Sequence, residues 1–267
     1  MNRIENAFKN KPIFMPYFPL GYPDLDTSID VIEALAKHGA NLIEVGLSFS
    51  DPLADGPVIQ KATQVALEKG ITVRKSLEAV KELRKRGVGI PLVLMGYYNP
   101  MLAYGLEKFV CDAIDAGADG FIVPDLPMEE SEEFHIALSG ATRQGSTVET
   151  PLIPMLAPTS SPERMEMIAR NAKGFIYLVS VTGVTGERKS ISEGLGELIR
   201  RVREHTSGPV CVGFGIGTAE QAKEVGKMAD GVIVGTACVR AIEESENPIE
   251  TAKQFAASFH EALNSKG

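Results

Sequence analysis

The stretch His38-Gly39-Ala40-Asn41-Leu42-Ile43-Glu44-Val45-Gly46-Leu47 decides how this chain folds. It joins the end of a helical pattern to a short apolar run through a turn of small residues, and the same joint recurs. Ala116-Gly117-Ala118-Asp119 precedes Gly120-Phe121-Ile122-Val123, and Asn171-Ala172-Lys173 precedes Gly174-Phe175-Ile176-Tyr177-Leu178. Met228-Ala229-Asp230 precedes Gly231-Val232-Ile233-Val234. A repeated helix-to-strand joint belongs to βα units that feed a parallel sheet. Working outward, strand candidates begin near residues 13, 42, 92, 120, 151, 175, 209 and 231. Most gaps between them carry a helical face, such as Ile29, Ile32, Leu35 and Ala36, or Leu106, Phe109, Val110 and Ala113. The second connection is long enough for two helices, parted by Gly70-Ile71-Thr72 with Thr72 as the N-cap of the second. A leading helix over 2–9 and a final one over 249–264 flank the set, and no interdomain linker is visible. The reading is an α/β chain forming a single (β/α)8 TIM barrel over 1–267, with an extra N-terminal helix and an added helix in the strand 2–3 connection. A doubly wound sheet is the less favoured alternative.

Glu44 is out of place in such a strand. Parallel strands are covered on both faces and read as continuous apolar runs, and a carboxylate there loses hydration unless it is paired or kept for chemistry. Alternation puts Leu42, Glu44 and Gly46 on one face and Ile43, Val45 and Leu47 on the other. The bland alternative is a buried Glu held by an Arg or by backbone amides. The acid-rich segment that follows, Ser48-Phe49-Ser50-Asp51-Pro52-Leu53-Ala54-Asp55-Gly56-Pro57, favours chemistry. In a barrel the active site is built at the C-terminal strand ends and in the loops behind them. Glu44 and Asp55 then belong to strand 2 and its loop, Tyr17 to strand 1 and Tyr177 to strand 6, while Asp125 follows strand 4.

Three glycine-rich segments suit an anion held by backbone: Thr182-Gly183-Val184-Thr185-Gly186, Gly213-Phe214-Gly215-Ile216-Gly217-Thr218 and Gly235-Thr236-Ala237. Glycine lets the chain approach a phosphate closely, and helix-start N–H groups supply aligned donors. Loops after strands 7 and 8 are the usual phosphate site of this fold. Gly213-Phe214-Gly215 is no GxGxxG fingerprint, so a dinucleotide reading is weak.

Exclusions narrow the reaction. A net charge of −8 argues against nucleic acid or an anionic membrane as partner. No apolar stretch is long enough to span a bilayer, and the N-terminus has no signal-peptide core. Cys111, Cys211 and Cys238 are scattered and read as buried thiols of a reducing cytoplasm. His38, His135, His205 and His260 all fall on expected helices or helix ends, which argues against a His-bound catalytic metal or a His acid/base. No lysine sits in or at the end of an expected strand, so a Schiff-base aldolase lacks its amine. Carboxylate chemistry beside a phosphate site remains.

Glu44 followed by Phe49-Ser50-Asp51-Pro52-Leu53-Ala54-Asp55-Gly56-Pro57-Val58-Ile59-Gln60 strongly resembles the signature of the tryptophan synthase alpha chain family. The likeness continues through Pro16–Pro23, Met95-Gly96-Tyr97-Tyr98-Asn99-Pro100, Val123-Pro124-Asp125-Leu126-Pro127, Ala157-Pro158-Thr159, Val184-Thr185-Gly186 and Gly213-Phe214-Gly215-Ile216. It spans essentially the whole chain. The resemblance implies a cytoplasmic lyase of tryptophan biosynthesis, cleaving indole-3-glycerol phosphate to indole and glyceraldehyde 3-phosphate. It implies Glu44 as the acid/base at indole C3 and the neighbouring hydroxyl, and Asp55 as acceptor of the indole N–H; alone, Asp55 in Asp-Gly-Pro reads as a turn or cap.

By the same resemblance Tyr177 lies near the glycerol chain, and Tyr17, Ile59, Leu94 and Phe214 sandwich the indole. Core packing is the stronger reading of Leu94, and an even one for Tyr177. Thr185, Gly186, Gly215, Gly235 and Thr236 match the phosphate cradle. Asp51 and Asp125 match loop residues tied to closure and partner signalling. No cofactor or metal is expected on this chain. Pyridoxal phosphate is expected only on a beta chain, joined to this one in an alpha-2 beta-2 complex. The loops 48–57 and 180–193 are expected to close over substrate and touch that partner. Ser48, Tyr22 and Thr236 depart from the family's usual Pro, acidic residue and Ser. A free-standing lyase, a barrel retained only as an activator, and an isomerase or epimerase acting on a ribulose-type phosphate stay open as alternatives.

Overall fold

A computed structural model describes residues 2–141, 149–179, 188–213 and 215–265; side chains of 188–193 are not described. Eight strands form one parallel sheet: β1 (Ile13–Pro19), β2 (Ile43–Gly46), β3 (Leu92–Met95), β4 (Gly120–Ile122), β5 (Met155–Leu156), β6 (Ile176–Val179), β7 (Val210–Gly213) and β8 (Gly231–Val234). The hydrogen-bonded order is β4-β3-β2-β1-β8-β7-β6-β5, and a bridge between Phe121 and Leu152 joins its two ends. The sheet therefore closes on itself as a barrel through that bridge.

Around it run α1 (Arg3–Ala7), α2 (Leu25–Lys37), α3 (Pro57–Glu68), α4 (Val73–Lys85), α5 (Tyr98–Tyr104), α6 (Leu106–Ala116), α7 (Glu132–Gly140), α8 (Pro162–Asn171), α9 (Arg188–Arg203), α10 (Ala219–Gly226), α11 (Thr236–Glu243) and α12 (Pro248–Asn264). The leading helix and the doubled strand 2–3 connection are present, and the Thr72 hydroxyl accepts from the Lys75 N–H to start α4. The strand 3–4 connection also carries an extra helix, α5, that the sequence reading did not separate. Strand 5 departs from expectation. A bridge forms at Leu152, but the regular ladder starts only at Met155, because Pro151 and Pro154 have no N–H to give it.

Two layers of packing follow from strand alternation. Phe14 turns outward and stacks on Phe259 of α12 at 5.1 Å, and Phe121 turns outward onto Phe109 and Phe134 at 5.7 and 5.4 Å. Inside the barrel, bulky side chains lie over glycines of neighbouring strands. A Cβ added at Gly231 would come within 2.7 Å of Cys211 Sγ and 3.1 Å of Met15 Sδ. Cys211 and Cys238 are buried, but Cys111 is exposed, because it falls on the outer face of α6.

The recurrent joint has a structural purpose at the N-terminal end of the barrel. The residue just ahead of an even strand accepts a hydrogen bond from the start of the preceding odd strand. Asn41 Oδ1 accepts from the Phe14 N–H at 2.8 Å, Asp119 Oδ2 from Leu92 at 3.0 Å and Asp230 Oδ2 from Val210 at 2.9 Å. Asp119 also pairs with Arg3 and Arg84, and Asp230 with Lys11 and Arg203. At the remaining joint the ladder begins only at Met155 and Tyr177, Pro151 heads the β5 segment, and Lys173, which pairs with Glu149, stands where the other joints carry Asn or Asp. Proline has no N–H to cap, and the acceptor is replaced by a lysine.

Candidate active site

The C-terminal strand ends open into a cavity of about 740 Å³ whose lining includes Glu44, Asp55, Tyr17, Tyr177, Gly215 and Gly235. Its walls come from β1, β2, β3, β6 and β8, from the loops after β2, β7 and β8, and from α3, α11 and α12.

Glu44 reaches the cavity from the middle of β2 and is 1% exposed. Its Oε1 has no hydrogen-bond partner among the described residues. Among the described residues no arginine or amide group compensates it, which weakens the purely structural alternative. Burial pushes this carboxyl well above its ordinary range; desolvation disfavours the charged form, and no neighbouring cation opposes it. A carboxyl in that state holds its proton to a higher pH than an exposed one and can give it up to a carbon base.

Asp55 lies in the loop between β2 and α3, half-buried, and burial raises it to about 6. The Tyr97 hydroxyl, 3.1 Å from Asp55 Oδ2, pulls the other way. The two carboxyls thus differ in kind: one sealed and unpaired, the other at the rim and hydrogen-bonded. Environments that separate two carboxyls in this way commonly assign them different roles.

Tyr17 and Tyr177 complete the inner wall, and each occupies space that a glycine leaves. A Cβ on Gly46 would lie 2.3 Å from the Tyr17 hydroxyl, and one on Gly213 would lie 2.4 Å from that of Tyr177. Burial and the nearby Asp55 and Glu44 raise the Tyr17 phenol well above its ordinary value; burial, Glu44 and Asp55 do so for Tyr177. Both phenols therefore stay neutral.

At the other end, Gly215 takes a φ of +83°, a backbone region that disfavours side chains. Gly235 is the N-cap of α11 and Thr236 its first residue. The unpaired N–H groups of a helix start are donors for an anion. A Cβ at Gly235 would reach only ordinary contact with Tyr17 Cβ, at 3.5 Å, and so would fill open cavity.

Ile59 also lines the cavity, as expected, but Leu94 does not. Leu94 is in register with Val45 and Phe121, on the face turned to the helices, and Met95 one residue later lines the cavity instead. Phe214, Thr185, Gly186 and most of the 180–193 loop lie outside the described residues, and α9 begins at Arg188. Asp51 is exposed and accepts from the Ser50 hydroxyl at 2.5 Å. Asp125 accepts from the Tyr98 N–H at 2.9 Å, tying the loop after β4 to the start of α5. Neither borders the cavity. Sequence reasoning missed Tyr97, Met95 and Arg240; only the first two stood in a quoted motif, and none was singled out. The four histidines lie on α2, α7 and α12 or just beyond their ends and that of α9. Among the described residues no group of three or more His, Cys, Asp or Glu could hold a metal ion, and no helix is long and apolar enough to cross a membrane.

Comparison with known proteins agrees with this geometry. The family model described as tryptophan synthase alpha chain matches residues 4–266. A tryptophan synthase alpha chain of Roseiflexus sp. (strain RS-1) is 46% identical over 250 residues, 92% of this chain and 93% of that one. Its counterpart in Geobacillus kaustophilus (strain HTA426) is 44% identical, covering 94% and 91%. Among solved structures, tryptophan synthase subunit alpha from Legionella pneumophila str. Paris superposes with a TM-score of 0.88 at 34% identity, covering 99% of both chains. Tryptophan synthase from Mycobacterium tuberculosis in its aminoacrylate-bound form gives 0.86 at 32%, covering 99% and 100%.

Proposed function

The chain belongs to the tryptophan synthase alpha chain family, a lyase family that cleaves indole-3-glycerol phosphate, and from that premise we propose that Glu44 and Asp55 carry the reaction. The observation that supports it best is the sealed, unpaired carboxyl of Glu44 sharing one cavity with Asp55 and a glycine-built anion cradle.

Protonated Glu44 gives its proton to indole C3, and the ring becomes an electron-poor leaving group. The bond between C3 and the glycerol carbon then breaks. Its electron pair returns to the ring as indole, the adjoining hydroxyl becomes the aldehyde of glyceraldehyde 3-phosphate, and Glu44 takes back that hydroxyl's proton. The acid is restored with no net proton consumed. Asp55, ionised, accepts the indole N–H and stabilises the positive charge that appears on the ring when C3 is protonated. Tyr17 and Ile59 pack against the indole, and Tyr177 stands near the glycerol chain. Backbone N–H groups around Gly215 and Gly235, with the Thr236 hydroxyl, hold the phosphate; Thr185 and Gly186 are assigned to the same cradle by resemblance. None of these roles calls on a cofactor of this chain.

The same reading makes the chain one cytoplasmic barrel domain that works with a beta chain carrying pyridoxal phosphate, in an alpha-2 beta-2 complex. Indole is small and apolar and would diffuse away unless a second site lies close. Asp51 and Asp125, on loops of the face where the cavity opens, are the residues we assign to closure and signalling. The deciding experiment measures indole release by the purified chain with and without beta chain. The reading expects low activity alone and at least a tenfold rise with the partner. A chain that runs at full rate alone and binds no beta chain at micromolar concentration would instead be a free-standing lyase.

A further inference from the structure

We propose that Tyr97 is a positioning residue for Asp55, a latch that fastens the loop after β2 to the end of β3 and fixes the direction of the carboxylate. The proposal rests on the assignment of Asp55 to the reaction. Tyr97 lies two residues past β3 as the N-cap of α5 and is itself 5% exposed. Its hydroxyl meets the loop at two adjacent residues. The Ala54 N–H donates to the phenol oxygen at 2.9 Å, and the same oxygen lies 3.1 Å from Asp55 Oδ2. A phenol has one proton. With its oxygen accepting from Ala54, that proton is left to donate to Asp55. The arrangement reads the loop's backbone and its carboxylate at once, so Asp55 points correctly only when the loop is seated.

The rest of the loop needs such a fastening. Leu53 is 88% exposed, and Ala54 and Gly56 are exposed on either side of Asp55. The Phe49 ring lies against that of Tyr97 at 5.7 Å, so the tyrosine holds the loop near its start as well. Among the described residues, the remaining bonds of Asp55 are made by its backbone: its N–H to the Pro52 carbonyl at 3.0 Å and its own carbonyl from Gln60 Nε2 at 2.8 Å. Those fix the chain and leave the carboxylate free to turn. The Tyr97 hydroxyl also favours the ionised form of Asp55, opposing the effect of burial.

Tyr97→Phe keeps the ring and its packing and removes only the hydroxyl. A hydrogen bond to a charged group at a site of this kind is worth roughly tenfold to a hundredfold, and kcat is expected to fall by that factor with the melting temperature little changed. The acidic limb of the kcat–pH profile should move upward by half a unit or more, because Asp55 loses the donor that favours its charge. In single-turnover assays the Tyr97→Phe/Asp55→Asn double variant should be no slower than Asp55→Asn alone, since the latch then has nothing to aim. Protection of the Ala54 amide against hydrogen exchange should fall in Tyr97→Phe. The proposal is overturned by a kcat within twofold of wild type and an unmoved limb. It is equally overturned if the two substitutions multiply in full, which would place Tyr97's effect elsewhere. Asp55→Asn at wild-type rate would refute the Asp55 assignment itself; an inactive Asp55→Asn beside a normal Tyr97→Phe refutes the latch alone.

Discussion

Replacing Glu44 by Gln tests the central claim through stability as well as rate. In the unfolded chain a glutamate titrates near its ordinary value of 4.5, whereas burial raises the folded-state value well above it. Folding above pH 4.5 therefore binds a proton, and the unfolding free energy falls by ~1.4 kcal/mol for each pH unit over which the buried carboxyl keeps that proton. The sign is fixed: this contribution disfavours the native state as pH rises through the unfolded value, and it levels off above the folded one. Glutamine cannot titrate and lacks the slope. Its own packing changes the variant's stability by an amount independent of pH, so the difference between the two proteins isolates the carboxyl. Between pH 5.5 and 7.5 that difference should grow with pH in favour of Glu44→Gln. Urea unfolding at several pH values measures it, with the slope against denaturant checked for constancy. Indole release by the same variant should drop by about 10²–10⁴. A stability difference flat across this pH span would refute the claim that Glu44 is held neutral. A variant retaining more than a tenth of wild-type turnover would remove it from the acid/base role.

Asp55→Asn should lose most activity, and the loss should shrink on a substrate whose indole N–H is replaced by oxygen; equal losses on both substrates would rule out the proposed contact. In the wild type, kcat should fall as pH drops through about 6, the value to which burial raises Asp55, and a profile flat to pH 5 would contradict the need for its charge. Gly235→Val should raise the substrate dissociation constant far more than Thr236→Ala, because the side chain would fill the anion cradle; the reverse order would indicate a hydroxyl-centred site. Gly46→Ala places a carbon against the Tyr17 hydroxyl and should cost about 1–3 kcal/mol by chemical denaturation, together with weaker substrate binding; a neutral effect would mean that the Tyr17 ring moves freely.

The barrel was legible because its joints repeat, and Glu44 because a carboxylate interrupts an apolar strand. The failures have physical causes. A strand covered on both faces carries no alternation, so Leu92-Val93-Leu94-Met95 offers no phase, and Leu94 and Met95 cannot be told apart without the register against β2. Strand 5 was placed early because Pro151-Leu152-Ile153-Pro154 is apolar, although two of its four residues lack an N–H. Tyr97 escaped because its partners, Ala54 and Asp55, are more than forty residues away in sequence. Only the side-by-side pairing of β2 and β3 brings loop and phenol together. The helix break at Gly105, whose φ is +92°, separates α5 from α6 inside what reads as one helical pattern.

The missing cap at Lys173 makes the barrel unequal around its circumference. Three of its four odd–even strand pairs are pinned at the bottom by a side-chain acceptor, while the β5–β6 pair, with its two-residue ladder, has no such acceptor among the described residues. The neighbouring seam between β4 and the β5 segment is held by two backbone bonds, Phe121 N–H to Pro151 and Ile153 N–H to Phe121. A closed ring under thermal load opens where it has fewest rungs. Partial unfolding should start as a gap at Pro151–Leu156, lengthwise like a split stave, with β1, β2 and β8 still joined. The carboxyl of Glu44, across the ring from that gap, would then be among the last groups to meet water.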